Sequence, residues 1–168
     1  LMVIHPPIVF MFYSLCLATS SIAMAGIIRN DDAEKIHYNQ IFWARASFTV
    51  GTIGIGLGGL WAYTVLDWGG YWAWDPVETG SILPWFALLM IVHARARADS
   101  EKESAIIASP ALGMLAGALA IHATLVTRAN GVWASVHSFV GNEEAREYND
   151  PYIRIVQLFD DGAAGLEV

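Results

Sequence analysis

Four apolar runs, each close to the length that crosses a bilayer, constrain this chain more than any other feature. They cover residues 8–28, 41–66, 81–94 with some flanking turn, and 105–127, and a transmembrane helix needs about 20 mostly apolar residues. Charged residues make up only 15% of the 168-residue chain, against roughly 25% in soluble domains. The sequence therefore predicts an all-α integral membrane protein with about four transmembrane helices.

Charge and cysteine content argue against several function classes. The net charge is −7 and no basic patch is present, so the sequence predicts no nucleic-acid partner. The single cysteine, Cys16, lies inside the first apolar run, which leaves no disulfide framework, CxxC pair or zinc cluster and favours a buried spectator thiol. Residues 1–140 are predicted to form the membrane region, and residues 141–168 an acidic tail outside the cytoplasm.

The distribution of basic residues predicts the orientation in the membrane. Positively charged residues near the ends of spans stay in the cytoplasm, and the loops after the first and third runs, with their flanks, hold six of them: Arg29, Lys35, Arg45, Arg95, Arg97 and Lys102. The loop between the second and third runs holds none. This loop, the start of the chain and the segment after the fourth run should therefore share the extracytoplasmic face of a prokaryotic plasma membrane or an organellar inner membrane.

That loop is unusually rich in aromatic residues. Three tryptophans and a tyrosine fall within seven residues: Trp68, Tyr71, Trp72 and Trp74. Membrane interfaces usually scatter such residues, so their density suggests a platform for a large flat ligand such as a porphyrin. Asp75 and Pro76 follow directly and predict the N-cap and first turn of the third helix, which would hold the platform on a short rigid element.

Two histidines are predicted on the same face as this loop. His5 precedes two prolines that restrict its backbone, and His137 follows the fourth run. Either one alone could be a simple interfacial residue, but together they suggest axial ligation of a haem iron from opposite sides. Arg128, at the end of the fourth run, has two equal interpretations: it snorkels to the interface, or it pairs with a porphyrin propionate.

The other histidines receive different predictions. His93 lies near the inner end of the third run, about 22 Å from Glu78 at helical rise, and an ionisable group at membrane depth is a functional candidate. His122 is expected to hydrogen-bond a neighbouring helix, and His37 to be solvated. The glycines of the second run favour close helix packing over room for a cofactor edge; they are Gly51, Gly54, Gly56, Gly58 and Gly59.

Residues 68–85 resemble the WWD signature of the haem-handling proteins of cytochrome c maturation. The His5-Pro6-Pro7 start, the Pro84-Trp85 end of the signature and residues 127–139 are more narrowly similar to the CcmF and NrfE haem lyases. This resemblance implies that His5 and His137 ligate haem b beside the signature and that His93 ligates a separate b-type haem. The implied cofactor-binding residues are Trp68, Tyr71, Trp72, Trp74, Asp75 and Arg128, with no catalytic residue identified.

The resemblance implies a haem lyase, or holocytochrome c synthase, that receives haem from a CcmE-like chaperone. The haem would be presented to the Cys-x-x-Cys-His segment of an apocytochrome c, alongside other maturation subunits of the membrane. Family members are generally longer and supply the second b-haem ligand from a later helix, so the chain would be either part of a longer protein or one chain of a split lyase. The alternatives are a haem transporter or chaperone-loading protein, a CcsA-type synthase, and a membrane scaffold whose tryptophans only anchor an interface.

Overall fold

The computed structural model describes residues 3–66, 70–98, 104–128 and 137, and these residues form helices joined by short connections, with no strand among them. Helix α1 spans His5–Ile28 and α2 spans Ala33–Trp61, continuing as a π-helical turn over Ala62–Leu66. Helix α3 spans Pro76–Ala98 and the short α4 spans Ser104–Ile107. Helix α5 spans Ser109–Arg128.

Four helices are long and apolar enough to cross a membrane, as the sequence predicts. The candidate spans are His5–Ile28, Ala33–Val65, Pro76–Ala94 and Ser109–Arg128. The first three begin earlier than the apolar runs do, because each helix starts with polar or proline-containing residues that hydropathy leaves out. Prolines suit the first turn of a helix, where a backbone N–H has no helical acceptor. The fourth begins later, because the helix is interrupted at Ala108 and restarts next to Pro110.

The four long helices form a bundle in which α1 and α3 each pack against both α2 and α5. Its core lies at mid-height and is made of small and medium apolar side chains, among them Phe12, Cys16, Leu88, Ile91, Ala116 and Ala120. Gly51 lies against Phe12, where an added Cβ would fall 2.6 Å from the ring. The expected role of the α2 glycines in close packing is thus confirmed there, and Cys16 is buried as expected.

Two histidine predictions can be compared with the structure, and the one for His37 is wrong. His37 is not solvated: it is 3% exposed, and its Nδ1 lies 2.6 Å from the Ser109 hydroxyl. The reason is that α2 begins at Ala33, which places His37 one turn inside the helix on the face that meets the start of α5. His122 is exposed on α5, and within the described ranges its ring makes no hydrogen bond to a neighbouring helix.

The turn between α1 and α2 is held by its acidic residues. Asp32 caps α2 by accepting the Lys35 backbone N–H at 2.7 Å. Asp31 accepts from the Lys35 ammonium at 2.7 Å and from Arg29. The hydrogen bond from Lys35, together with that from Arg29, holds the pKa of the Asp31 carboxyl below its usual value.

Candidate functional site

A cavity of about 380 Å³ opens at one end of the bundle, where α1 and α3 begin and α2 and α5 end. Its size falls within the range of small-molecule sites, about 300–1,000 Å³. Apolar side chains such as Val9, Phe10 and Ile55 supply part of the lining. The functional candidates in the lining are His5, Trp72, Arg128 and His137. The fold therefore brings together four of the residues that the sequence analysis selected.

His5 is the first residue of α1, and its ring is fixed from the side of α2. Its Nδ1 lies 3.0 Å from the carbonyl oxygen of Gly54. Because a carbonyl can only accept, the proton lies on Nδ1 and the lone pair of the neutral ring lies on Nε2. Metal-binding histidines commonly donate their second ring nitrogen in this way. The Trp61 ring meets His5 edge-on, with 5.8 Å between ring centroids.

His137 is held by an acidic residue at the start of α3. Its Nδ1 lies 2.8 Å from Oδ2 of Asp75, a side chain whose residue is 7% exposed. The same oxygen accepts the Val77 backbone N–H at 3.0 Å, so the predicted N-cap of α3 is confirmed. One carboxylate therefore both caps a helix and orients an imidazole, and the second of these contacts was not predicted.

The aromatic residues of the connection before α3 do not all face the cavity. Trp72 lines the cavity. Tyr71 instead donates its hydroxyl to the Gly56 carbonyl at 2.8 Å and packs on Gly59, which fastens this segment to α2. Trp74 is 71% exposed and does not line the cavity, although its ring meets Trp72 edge-on with centroids 6.0 Å apart. Trp68 lies outside the described residues.

Two backbone features hold Trp72 and Trp74 where they are. Glu78, one turn into α3, accepts the Ala73 backbone N–H at 2.8 Å, and it also lines the cavity. Trp74 has a φ of 56°, a left-handed conformation that is uncommon for a bulky residue and is often found at functional sites. The contact between Ala73 and Glu78 thus ties residues 72–74 to the first turn of α3.

Arg128 is the last residue of α5 and supplies a positive charge at the cavity. No acidic side chain in the described part of the chain forms an ion pair with it. The nearby hydroxyls of Thr124 and Thr127 donate to backbone carbonyls of their own helix, those of Ala120 and Ala123. Arg128 thus places a guanidinium at the edge of a largely apolar cavity.

His93 lies away from this cavity. It is exposed on α3, with Nδ1 2.8 Å from the carbonyl oxygen of Leu89. It shares an exposed stripe with Leu83, Phe86 and Met90, spaced as neighbours on one helix face. Among the described residues, no group of three or more His, Cys, Asp or Glu side chains is arranged to hold a metal ion. The structure separates His93 from the His5 and His137 pair, as the sequence analysis predicts.

Sequence reasoning missed the part of α2 that faces His5. Trp61 and Gly58 both line the cavity, but Trp61 was not selected and Gly58 was assigned to helix packing. The signal was present: Gly54, Gly58 and Trp61 follow one another at spacings of four and three, which places them on one face of a helix. The same α2 surface therefore combines the expected packing role of glycine with a contact to a candidate ligand.

The chain matches the family model described as "Cytochrome C assembly protein" over residues 1–132. It is 34% identical over 139 residues to the cytochrome c-type biogenesis protein NrfE of Haemophilus influenzae, covering 82% of this chain and 21% of that protein. It is 32% identical over 157 residues to the protein CcmF of the same organism, covering 92% of this chain and 24% of that protein.

A third relative is the cytochrome c-type biogenesis protein CycK of Rhizobium meliloti, 35% identical over 137 residues, with 81% of this chain and 20% of that protein covered. The chain thus spans about a fifth to a quarter of the length of these relatives. No solved structure matches it significantly.

Proposed function

Because the chain belongs to the cytochrome c assembly protein family, we propose that it forms the haem-presenting part of a cytochrome c haem lyase. One observation carries the proposal. Two histidines that are far apart in sequence, His5 and His137, line one cavity, and each has its Nδ1 on a hydrogen-bond acceptor. That pattern is typical of imidazoles prepared to bind a metal through the other nitrogen.

The rest of the cavity suits a porphyrin as substrate. Its lining combines the Trp72 ring and aliphatic side chains, which match the apolar faces of the macrocycle, with the Arg128 guanidinium, which matches a propionate. His5 and His137 would supply the two axial nitrogens to haem b. Asp75 would act through His137, and Tyr71 through the segment that it fastens to α2. Trp74 would act at the rim, beside Trp72.

The proposed reaction joins the haem vinyl groups to the two thiols of an apocytochrome c Cys-x-x-Cys-His segment, each S–H adding across a vinyl double bond. The reacting cysteines would belong to the apocytochrome, since Cys16 is buried at mid-bundle and its thiol is hydrogen-bonded to the Ser47 hydroxyl. This chain would contribute orientation, which can supply a large share of a rate enhancement when reacting groups are held in register. Further partners would be a CcmE-like haem chaperone and other maturation subunits, meeting the cavity end outside the cytoplasm.

His93 is proposed as one ligand of a second, b-type haem. A histidine at membrane depth rarely faces lipid, yet His93 is exposed on the four-helix bundle. Its Nδ1 donates to Leu89, which leaves the lone pair on Nε2 at that surface. The opposing ligand would come from further transmembrane helices, in the same polypeptide or in a second chain, packed on this face of α3.

Replacing the cavity tryptophan tests this function. The variant Trp72→Ala removes the ring that lines the cavity, and the matched control Trp43→Ala removes a partly exposed tryptophan of α2 that does not line it. Purified with its maturation partners, Trp72→Ala should lose haem and yield at least about tenfold less holocytochrome c, the scale expected when a group that orients a reactant is lost. Trp43→Ala should behave as wild type.

Unchanged haem content and cytochrome yield in Trp72→Ala would overturn the proposal. The same preparation separates a lyase from a transporter. Incubated with a Cys-x-x-Cys-His peptide, a lyase attaches haem covalently, whereas a transporter or chaperone-loading protein releases haem that remains extractable by acidified solvent.

A further inference from the structure

Three residues on one face of α2 contact or adjoin the His5 ring: Gly54, Gly58 and Trp61. We propose that they are positioning residues, which aim the His5 imidazole before any ligand binds. This inference rests on the proposed function, because it concerns the direction in which His5 would offer its nitrogen. We refer to the three residues as the His5 seat.

Gly54 contributes through its backbone. Its carbonyl accepts from Nδ1 of His5 at 3.0 Å, which sets the tautomer and gives the ring a fixed pivot. Helix α1 comes close at this point: an added Cβ on Gly54 would lie 3.2 Å from Ile8 and 3.4 Å from Val9. A small residue thus lets α1 approach near enough for the ring to reach the α2 carbonyl.

Gly58 leaves the space that the His5 ring occupies, because it has no side chain. An added Cβ would lie 2.6 Å from Cε1 of His5, 3.2 Å from Nε2 and 3.3 Å from Nδ1. The first distance is shorter than real contacts allow. The imidazole is the far end of a side chain that can rotate, so a methyl group here would displace the ring and leave the helix backbone in place. Position 58 therefore controls where the imidazole lies and which way Nε2 points.

Trp61 closes the seat on the side of the cavity. Its ring meets the imidazole edge-on at 61° between planes, and it lines the cavity itself. The helix changes to a π-helical turn immediately afterwards, over Ala62–Leu66, and such turns are frequent at functional sites. The hydrogen bond to the Gly54 carbonyl and the contacts with Gly58 and Trp61 together leave the His5 side chain few rotamers. Holding a ligand group in this way reduces the entropy lost on binding.

The chain offers a matched pair of substitutions to test the seat. Gly58→Ala displaces His5, whereas Gly56→Ala, two residues earlier in the same helix, would meet only the Tyr71 hydroxyl at 3.6 Å, an ordinary contact. Both changes favour helix formation to the same degree. The full chain is purified with its partners, and oxidised and reduced spectra are recorded for both variants, for wild type and for His5→Ala, with and without added imidazole.

Gly58→Ala is expected to lose the low-spin haem spectrum and to retain haem about 10- to 100-fold less tightly, the scale seen when a residue that orients a metal ligand is changed. Imidazole should restore the low-spin spectrum, because only the direction of the nitrogen has been lost. Gly56→Ala should match wild type.

The outcomes separate this inference from the function beneath it. If His5→Ala leaves the haem spectrum unchanged, His5 is not a ligand and the proposed site is wrong. If the spectrum depends on His5 but Gly58→Ala matches Gly56→Ala, the site stands and the seat is wrong. A loss in Gly58→Ala that imidazole does not restore also overturns the seat, because it shows general damage to the protein in place of a redirected ring.

Discussion

Both ends of the bundle contain a histidine that is hydrogen-bonded through Nδ1, but the surroundings of the ring differ. At the cavity end, His5 and His137 are hydrogen-bonded through Nδ1 and line an open space. At the opposite end, His37 is also bonded through Nδ1, to Ser109, but it is 3% exposed and lies between α2 and α5. A hydrogen-bonded histidine is thus common to both ends. The space beside the ring is what distinguishes a candidate ligand from a packing element.

Glycine shows the same contrast. At the cavity end, Gly58 leaves room for an imidazole that borders the cavity. At the other end, Gly113 leaves room for the amide of Gln40, which donates to the carbonyl and hydroxyl oxygens of Ser109 at 2.8 and 2.7 Å. At Gly58 the missing side chain leaves room for the His5 imidazole. At Gly113 it leaves room for the hydrogen bonds between Gln40 and Ser109.

The largest expected effect comes from the carboxylate that holds His137. Asp75→Asn keeps a good N-cap for α3, since Asn caps about as well as Asp, but replaces the charged acceptor of Nδ1. Haem affinity should fall by about 10- to 100-fold, as for other residues that orient metal ligands. Haem retention during gel filtration, measured on the protein with its partners, checks this.

Asp32→Asn is the control for that change, because Asp32 caps α2 at the opposite end of the bundle. It should leave haem retention at the wild-type level. Equal losses in both variants would mean that Asp75 matters only for folding, and the contrast between the two ends would disappear.

A smaller effect, on stability alone, is expected at the buried end. Ser109→Ala removes the hydroxyl that lies within hydrogen-bond distance of both His37 and Gln40. A typical hydrogen bond contributes about 0.5–1.5 kcal/mol to stability, so the free energy of unfolding in detergent should fall by about that amount. Haem spectra should not change. A lost haem signal at unchanged stability would show that this end takes part in ligand binding, and the contrast between the two ends would be wrong.

The smallest effect is expected at the turn between α1 and α2. The pKa of Asp31 is lowered in the folded protein by the hydrogen bonds from Lys35 and Arg29. The carboxylate therefore stabilises the fold above the usual carboxyl pKa, and this contribution is lost as the pH falls through the lowered value. Asp31→Asn should lower Tm slightly at neutral pH and not at all in acid. An equal loss of Tm at both pH values would contradict this electrostatic origin.

The sequence predicts the parts of this fold that follow from local chemistry. Hydropathy is sufficient for the four spans, and Asp75 followed by Pro76 is sufficient for the start of α3. The convergence of His5 and His137 follows from counting spans, because an even number of crossings returns the chain to the same face. These features need no knowledge of how the helices pack.

Other features depend on packing and could not be read from the sequence. The density of aromatic residues before α3 indicates a site, but only the fold shows that Trp72 faces the cavity, Tyr71 binds α2 and Trp74 is exposed. His37 has charged neighbours in sequence that suggest solvent, yet helix α5 covers it. The spacing of Trp61 from Gly54 and Gly58 places the three residues on one helix face, but the contact of Trp61 with His5 depends on where α1 places that histidine.

We propose above all that His5 and His137 together bind haem at the cavity end. Oxidised and reduced absorption spectra of the full chain, purified with its partners, test it most directly when wild type is compared with the double variant His5→Ala, His137→Ala and with His122→Ala, an exposed histidine of α5. We expect a bis-histidine haem signal in wild type and in His122→Ala that is absent from the double variant. An undiminished signal in the double variant would contradict it.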